Sequence, residues 1–240
     1  ALESSRIEWM TRVLSIEAEI DGEHIASGLL SVAAEQRKIV SEQLIRAAGR
    51  LEHLKLYLDD KSDQNVRQIT AICRRHKRRH GLDCVVIDYL QLIEPENHGR
   101  NSVREQEVAK ISRRLKGLAK ELEVPIIVLA QINREVEKGS MMRRPRLSDL
   151  RESGSIEADA DKVLFLFRNG SFAETENSGG TKIFVETPGE AMVSIAKNRN
   201  GRTHVGIELG WIASRTTFTS KATSLLRSYE SGTRFGDRTF

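Results

Sequence analysis

Apolar residues repeat along this chain in two distinct rhythms, and the alternation between them predicts its architecture. Ser5 and Glu8, three residues apart, form a capping box. Behind them Ile7, Met10, Val13 and Leu14 fall on one helical face, and Asp21-Gly22 is expected to end that helix. Ser31 opens a second helical stretch, with Ile39, Val40, Leu44 and Ile45 as its expected buried side. Leu54, Leu56 and Leu58 alternate with Lys55 and Tyr57, which predicts a strand. Asp59–Ser62 reads as a loop and cap before a helix carrying Val66, Ile69 and Cys73. Cys84-Val85-Val86-Ile87 runs apolar into Asp88, the pattern of a strand buried on both faces. After the polar loop Glu94–Ser102, the residues Val108, Ile111, Leu115, Leu118 and Leu122 step by threes and fours, the clearest helix in the chain. Ile126–Ala130 is a strand ending in Gln131, followed by a polar, basic segment over Asn133–Ser148. Lys162–Arg168 is a further strand, and two more flank Asn200-Gly201, a strong hairpin signal. From Ala213 onward Ser and Thr are frequent and no period persists, so a flexible or partner-binding arm is expected.

Helices alternating with strands predict an α/β fold: a doubly wound, mostly parallel sheet with right-handed crossovers and a C-terminal β-hairpin. In such sheets ligands gather at the carboxyl ends of the strands, where Asp88 and Gln131 stand.

Composition narrows the classes. The 240 residues fit one or two domains. Apolar residues make up 39% and charged residues 30%, so part of the surface is expected to be solvated or docked on polar partners. The run Val124–Ala130 is far too short to cross a membrane, for which about 18 apolar residues are needed. The opening Ala-Leu-Glu-Ser-Ser has no basic stretch followed by an apolar one and is not expected to be a signal peptide. Two cysteines make no disulfide framework and no zinc spacing, which fits a reducing, cytoplasmic setting. The formal charge of +4 permits a nucleic-acid partner without requiring one. Arg74–His80 is an unbroken basic run. With no interleaved aromatic residue for base stacking, it reads as a solvated helix face.

An apolar strand ending in a carboxylate can hold Mg²⁺ of a nucleoside triphosphate through its water shell. The wider context is far more specific. Ile87-Asp88-Tyr89-Leu90-Gln91-Leu92 resembles the Walker B motif of DnaB-type replicative DNA helicases. The helix Glu107–Pro125, the strand-end Leu129–Arg134, the signature Ser148–Asp161, the basic hairpin Lys197–Gly201 and the opening Ala1-Leu2-Glu3 resemble further motifs of that family, in the same order. Together they cover residues 1–218 and leave 219–240 as a polar tail.

The resemblance implies a RecA-like P-loop NTPase core in a homo-hexameric ring. Such a ring encircles single-stranded DNA and moves 5′ to 3′, driven by ATP and Mg²⁺, with primase and a helicase loader as partners in a cytoplasmic, nucleoid-associated replisome. It implies that Glu3 is the catalytic carboxylate that orients and deprotonates the attacking water. Asp88 holds the metal, and Gln131 senses the terminal phosphate. Lys197 and Arg199 act in trans on the neighbouring subunit's nucleotide, a hairpin placing these alternate residues on one face. Arg151, Glu152 and Gly154 fall in the loop that touches DNA, and the basic residues Arg134, Lys138, Arg143, Arg144 and Arg146 are candidates to join them.

The chain departs from that pattern in small ways, with Ser4 where the family usually has Met and Ala1 where it has Ser, and in one large way. The phosphate-cradling loop Gly-x-x-x-x-Gly-Lys-[Ser/Thr] does not occur in it, nor does any Gly-Lys pair. The family carries that loop, with the first strand, just before the position matching Ala1. The expectation is therefore most of one ATPase domain, lacking first strand and phosphate loop, in a chain that reads like the interior of a larger protein. A chain beginning at Ala1 is expected to lack ATPase activity. A non-hydrolysing RecA-like module for DNA binding or subunit contact is the alternative, and it would have little use for Glu3, Asp88, Gln131, Lys197 and Arg199 together.

Overall fold

The computed structural model describes residues 2–96, 104–132, 145–150, 153–168, 172–176, 182–186, 190–203 and 205–220. They form two compact units between which the chain passes several times. The first comprises the N-terminal nine residues, Leu56–Val163 and Ala196–Gly201; the second holds the remainder.

The first unit is built on two helices against a short parallel sheet. Helix α4 (Val66–His80) begins where Asn65 accepts from the amides of Arg67 and Gln68 while Gln68 reaches back to the Asn65 amide. The cap is therefore at Asn65 and not in Asp59–Ser62. Helix α5 (Arg104–Leu122) buries all five residues of its predicted stripe and stops at Glu123, whose φ of 49° is left-handed. Strands β1 (Val85–Ile87) and β2 (Ile126–Val128) pair in parallel, Val85 opposite Ile126. Val66, Ile69 and Cys73 of α4 pack with the α5 stripe, Ile87, Leu90 and Ile93 into one core. Burial pushes the Cys73 thiol up from its ordinary value. The bidentate pair Arg74–Glu121 (2.6 and 2.7 Å) ties α4 to α5.

Only one face of this sheet is covered. Val86, Ile127 and Leu129 are about half exposed on the other, so the expectation of a strand buried on both faces fails for β1 among the described residues. A 7-residue helix α6 (Ser153–Asp159) completes the unit, with Ile156 packed on its core.

The second unit contains most of α1 (Arg6–Ala18), α2 (Gly22–Ala26), α3 (Ala34–Glu52) and the antiparallel strands. The Ser5–Glu8 capping box at the start of α1 forms as predicted, Glu8 accepting from the Ser5 amide at 2.8 Å. The helix ends earlier than expected, at Glu19 with φ 57°, a left-handed cap in which the Ile20 amide donates back to the Ser15 carbonyl at 3.1 Å while the Ser15 hydroxyl donates to the Ile20 carbonyl at 2.6 Å. Ile39 and Ile45, expected on the buried side of α3, are exposed; Ala47 is its one buried residue. Leu54–Leu58 forms no strand: Leu54, Leu56 and Tyr57 are exposed, and an alternating run without a partner has no ladder to join.

Strands β3 (Lys162–Arg168), β6 (Glu190–Asn198), β7 (Val205–Ile212) and β8 (Thr217–Ser220) form a sheet in that order. The predicted hairpin around Asn200-Gly201 is the β6–β7 pair, with Ile195 opposite Val205. Residues 213–220 are not a flexible arm: β8 pairs with β7, and Phe218 packs on Trp211 with ring centroids 4.6 Å apart. A second hairpin, β4 (Phe172–Glu176) with β5 (Lys182–Glu186), was not expected from the sequence. The polar segment 221–240 lies outside the described residues.

Candidate functional site

The carboxyl ends of β1 and β2 converge with the chain start. The Leu2 amide donates to the Asp88 carbonyl at 2.9 Å, and the Leu2 side chain packs on the core. This bond fixes Glu3 beside the end of β1, where its side chain is exposed. Asp88, the residue after β1, is half-buried, and its carboxylate has no hydrogen bond or ion pair among the described residues. An unneutralised carboxylate at a strand end suits a hydrated Mg²⁺.

Gln131 stands at the adjoining end, after β2. The Leu90 amide bonds the Leu129 carbonyl at 2.8 Å, and the Leu129 amide bonds the Ile87 carbonyl at 2.9 Å, which carries the ladder past both strands. The Gln91 side chain then grips the Gln131 backbone from both sides. Its Nε2 donates to the Gln131 carbonyl at 3.3 Å, and its Oε1 accepts from the Gln131 amide at 3.2 Å. Arg104 holds Gln91 in turn by donating to its carbonyl at 2.7 Å. The Gln131 side chain is left exposed and free among the described residues. Glu3, Asp88 and Gln131 are thus brought together, and Gln91 is a positioning residue that sequence reasoning missed. Its one signal was its place in the quoted Tyr-Leu-Gln-Leu run.

Lys197 and Arg199 sit elsewhere in the same unit. Lys197 Nζ donates to the Glu157 carbonyl, and Arg199 Nη2 donates to the Ala158 carbonyl at 2.7 Å. Both therefore occupy the last, unpaired carbonyls of α6, where cations are favoured. The Arg199 amide also donates to the Asp161 carbonyl at 3.0 Å, and its guanidinium lies 3.7 Å from the Asp161 carboxylate. Lys116 of α5 hydrogen-bonds that carboxylate. The Lys116 hydrogen bond holds Asp161 below the usual carboxylate range against the opposing effect of desolvation, with the charges of Lys116, Arg199 and Lys120 adding to it. Asp161 is a second residue whose role the pattern alone did not disclose.

Gly154 is exposed in the first turn of α6, and a Cβ there would meet nothing within 4 Å. Packing therefore does not require glycine at this position. Arg146 precedes a short 3₁₀ turn, Leu147–Asp149, and its amide donates to Asp149 at 2.7 Å. Arg151, Glu152, Arg134, Lys138, Arg143 and Arg144 lie outside the described residues. Among the described residues no group of His, Cys, Asp and Glu forms a metal cluster, and no helix is long and apolar enough to cross a membrane.

Comparison with known proteins gives one consistent result. The family model described as DnaB-like helicase C terminal domain matches residues 1–220. The chain is 40% identical over 205 residues to the replicative DNA helicase DnaB of Geobacillus stearothermophilus, covering 84% of this chain and 40% of the relative. It is 42% identical over 203 residues to the DnaB of Leifsonia xyli, covering 85% and 40%. Among solved structures it is similar to a DnaB-like replicative helicase described with its interactions with primase. That likeness has a TM-score of 0.76 at 33% identity, covering 91% of this chain and 49% of that one. A second solved structure, of an ATPase domain, gives a TM-score of 0.77 at 33% identity, covering 92% and 72%. The chain thus spans about 40% of the length of the curated relatives it matches. The likeness extends to the fold, which is that of the helicase ATPase domains.

Proposed function

We propose that this chain, which belongs to the DnaB-like helicase C-terminal domain family, is the motor portion of a replicative DNA helicase. In this reading it works as one subunit of a homo-hexameric ring that hydrolyses ATP with Mg²⁺ and moves 5′ to 3′ on single-stranded DNA, unwinding the duplex. Primase, a helicase loader and a cytoplasmic, nucleoid-associated replisome belong to the same proposal. The observation that carries it is the bond from Leu2 to the Asp88 carbonyl, which sets Glu3 and Asp88 side by side at the strand ends next to Gln131.

The residues fit their proposed tasks. Mg²⁺ bound at Asp88 supplies charge neutralisation at the phosphates. Glu3 orients the attacking water and accepts its proton, which suits an exposed carboxylate beside the metal ligand. Gln131 stands at the same end of the sheet with an exposed side chain, its backbone held by Gln91. Lys197 and Arg199 supply charge in trans to a neighbouring subunit's nucleotide, Arg199 being the permanently ionised group. Arg151, Glu152 and Gly154 contact the DNA backbone, independently of sequence and sensitively to salt. The motif of a phosphate cradle does not occur in this chain, and a non-hydrolysing module for DNA binding or subunit contact is the second reading.

The test is DNA-stimulated ATP hydrolysis by the protein that combines this chain with a phosphate-binding loop. Turnover should fall by about 10²-fold or more in Glu3→Gln and Asp88→Ala, with melting unchanged. Wild-type turnover that survives both substitutions refutes the proposed roles. DNA binding without any wild-type hydrolysis selects the module.

A further inference from the structure

Helix α4 ends in seven consecutive basic residues, Arg74–His80, and the fold divides them between two faces. Arg74 is spent on Glu121, and Lys77 on the Leu122 carbonyl, so these two face α5. Arg75 and Arg79 are exposed and free among the described residues. One helical turn apart, they line an open hollow with Ile72, His76 and His80. The sequence run holds no aromatic residue, but the fold supplies one from another segment. Tyr57 lies on His76 with ring centroids 4.1 Å apart at 67°, and near His80 at 5.7 Å and 30°. The two imidazoles are themselves 5.0 Å apart. Tyr57 nonetheless remains 58% exposed. The result is an aromatic platform of three rings bordered by two unneutralised guanidiniums.

We propose that this face of α4, with Tyr57, is a binding site for single-stranded nucleic acid, additional to the Arg151–Gly154 segment. Arg75 and Arg79 take backbone phosphates, and an unpaired base stacks on the exposed part of Tyr57. Charge alone would serve an acidic peptide equally well; the ring platform is what favours a nucleic acid with unpaired bases. The site does not rest on ring assembly or ATP hydrolysis, since all its residues belong to one unit of this chain.

The experiment is fluorescence anisotropy of a labelled oligothymidylate of about 15 nucleotides with the whole chain at about 50 mM salt. Arg75→Ala/Arg79→Ala should weaken binding about tenfold or more and flatten the log–log salt slope by about 1.4, or about 0.7 per phosphate contact. Arg75→Lys/Arg79→Lys should retain most of the affinity and the slope. Tyr57→Leu should weaken binding about fivefold or more with the slope unchanged. The charge-matched control Lys110→Ala/Arg113→Ala, on exposed positions of α5, should change it by less than about twofold. The proposal is overturned if the wild-type chain does not bind, if the patch variants bind like wild type, or if the control loses as much as the patch. It is also overturned if polyglutamate competes as well as oligothymidylate, which would mark an acidic-peptide surface. Arg151→Ala separates the two readings. Loss there with the patch variants unaffected removes this site and leaves the proposed function standing; the reverse result removes the DNA role of Arg151 alone.

Discussion

Replacing Gln91 by alanine tests whether its side chain is what fixes Gln131 at the end of β2. The substitution removes two hydrogen bonds, of 3.3 and 3.2 Å, to the Gln131 backbone. Both are long for an N–H···O bond, so each is placed at the weak end of the usual range, about 0.5 kcal/mol. Gln131 is exposed, so water replaces the lost partners and no orphan penalty is added. The Arg104 bond goes to the Gln91 carbonyl and survives. The expected cost is therefore about 1 kcal/mol, which is about a fivefold change in a local opening equilibrium. Hydrogen exchange reads this directly: the Gln131 amide should exchange about fivefold faster, while the Leu90 and Leu129 amides, bonded at 2.8 and 2.9 Å within the ladder, stay as in the wild type. Gln91→Glu separates the two bonds, because a carboxylate still accepts from the Gln131 amide but cannot donate to its carbonyl. That variant should keep the amide protected. An unchanged exchange rate at Gln131 in Gln91→Ala refutes the clamp. So does a fall in global stability as large as that of a core truncation, which would make Gln91 a structural residue.

Leu115, 4% exposed at the centre of the α5 stripe, should cost about 2–5 kcal/mol when replaced by alanine, measured by urea unfolding. Acid should destabilise the first unit through Asp161, Glu121 and Asp60, whose carboxyls lie below their ordinary range because of Lys116, Arg74 and Arg6 respectively. A folded pKa below the unfolded one gives stability that is complete above the unfolded value and lost as pH falls through the folded value. The urea midpoint should therefore be insensitive to these groups above about pH 5 and decline below about pH 4, less steeply in Asp161→Asn. Gly154→Ala should fold with an unchanged or raised thermal midpoint, since nothing lies near the added methyl and alanine favours helix by up to about 1 kcal/mol. Under the proposed function the same variant should bind DNA more weakly.

What could be read from the sequence was whatever depends on local period and local chemistry. The α5 stripe was legible because each of its five apolar positions meets the same core. The Ser5–Glu8 cap was legible because its partners are three residues apart. Asp88 and Gln131 were legible as strand ends. The failures share a different cause. Leu54–Leu58 has the alternation of a strand, but pairing is settled by a partner that the pattern does not contain. Ile39 and Ile45 lie on an apolar helical stripe that the described residues leave uncovered. Val86 reads as part of a strand buried on both faces, yet among the described residues only α4 and α5 supply a layer. In the site, the Leu2–Asp88 bond, the Gln91 clamp and the Asp161 bridge join residues 86, 40 and 45 or 38 positions apart, beyond the reach of any motif window.

The placement of Lys197 and Arg199 bears on how the proposed motor would work. Lys197 and Arg199 commit donors to the Glu157 and Ala158 carbonyls and keep their remaining N–H groups. A role in trans that recruits the committed donors competes with these contacts to α6. The exchange is favourable in principle: bonds to phosphate oxygens are between opposite charges, whereas those to carbonyls are not, and the former are roughly twice as strong. Arg199 is exposed, so little apolar burial opposes its departure. Asp161 is the exception, because it draws Arg199 back by charge while Lys116 holds that carboxylate to α5. Asp161→Asn should thus shift the balance toward release without removing either finger. On the proposed function it would lower the ATP concentration needed for half-maximal turnover, whereas Arg199→Ala would lower the maximal rate itself. An Asp161→Asn variant whose turnover falls like that of Arg199→Ala, with no change in ATP dependence, would show that Asp161 supports the fold and does not restrain the hairpin.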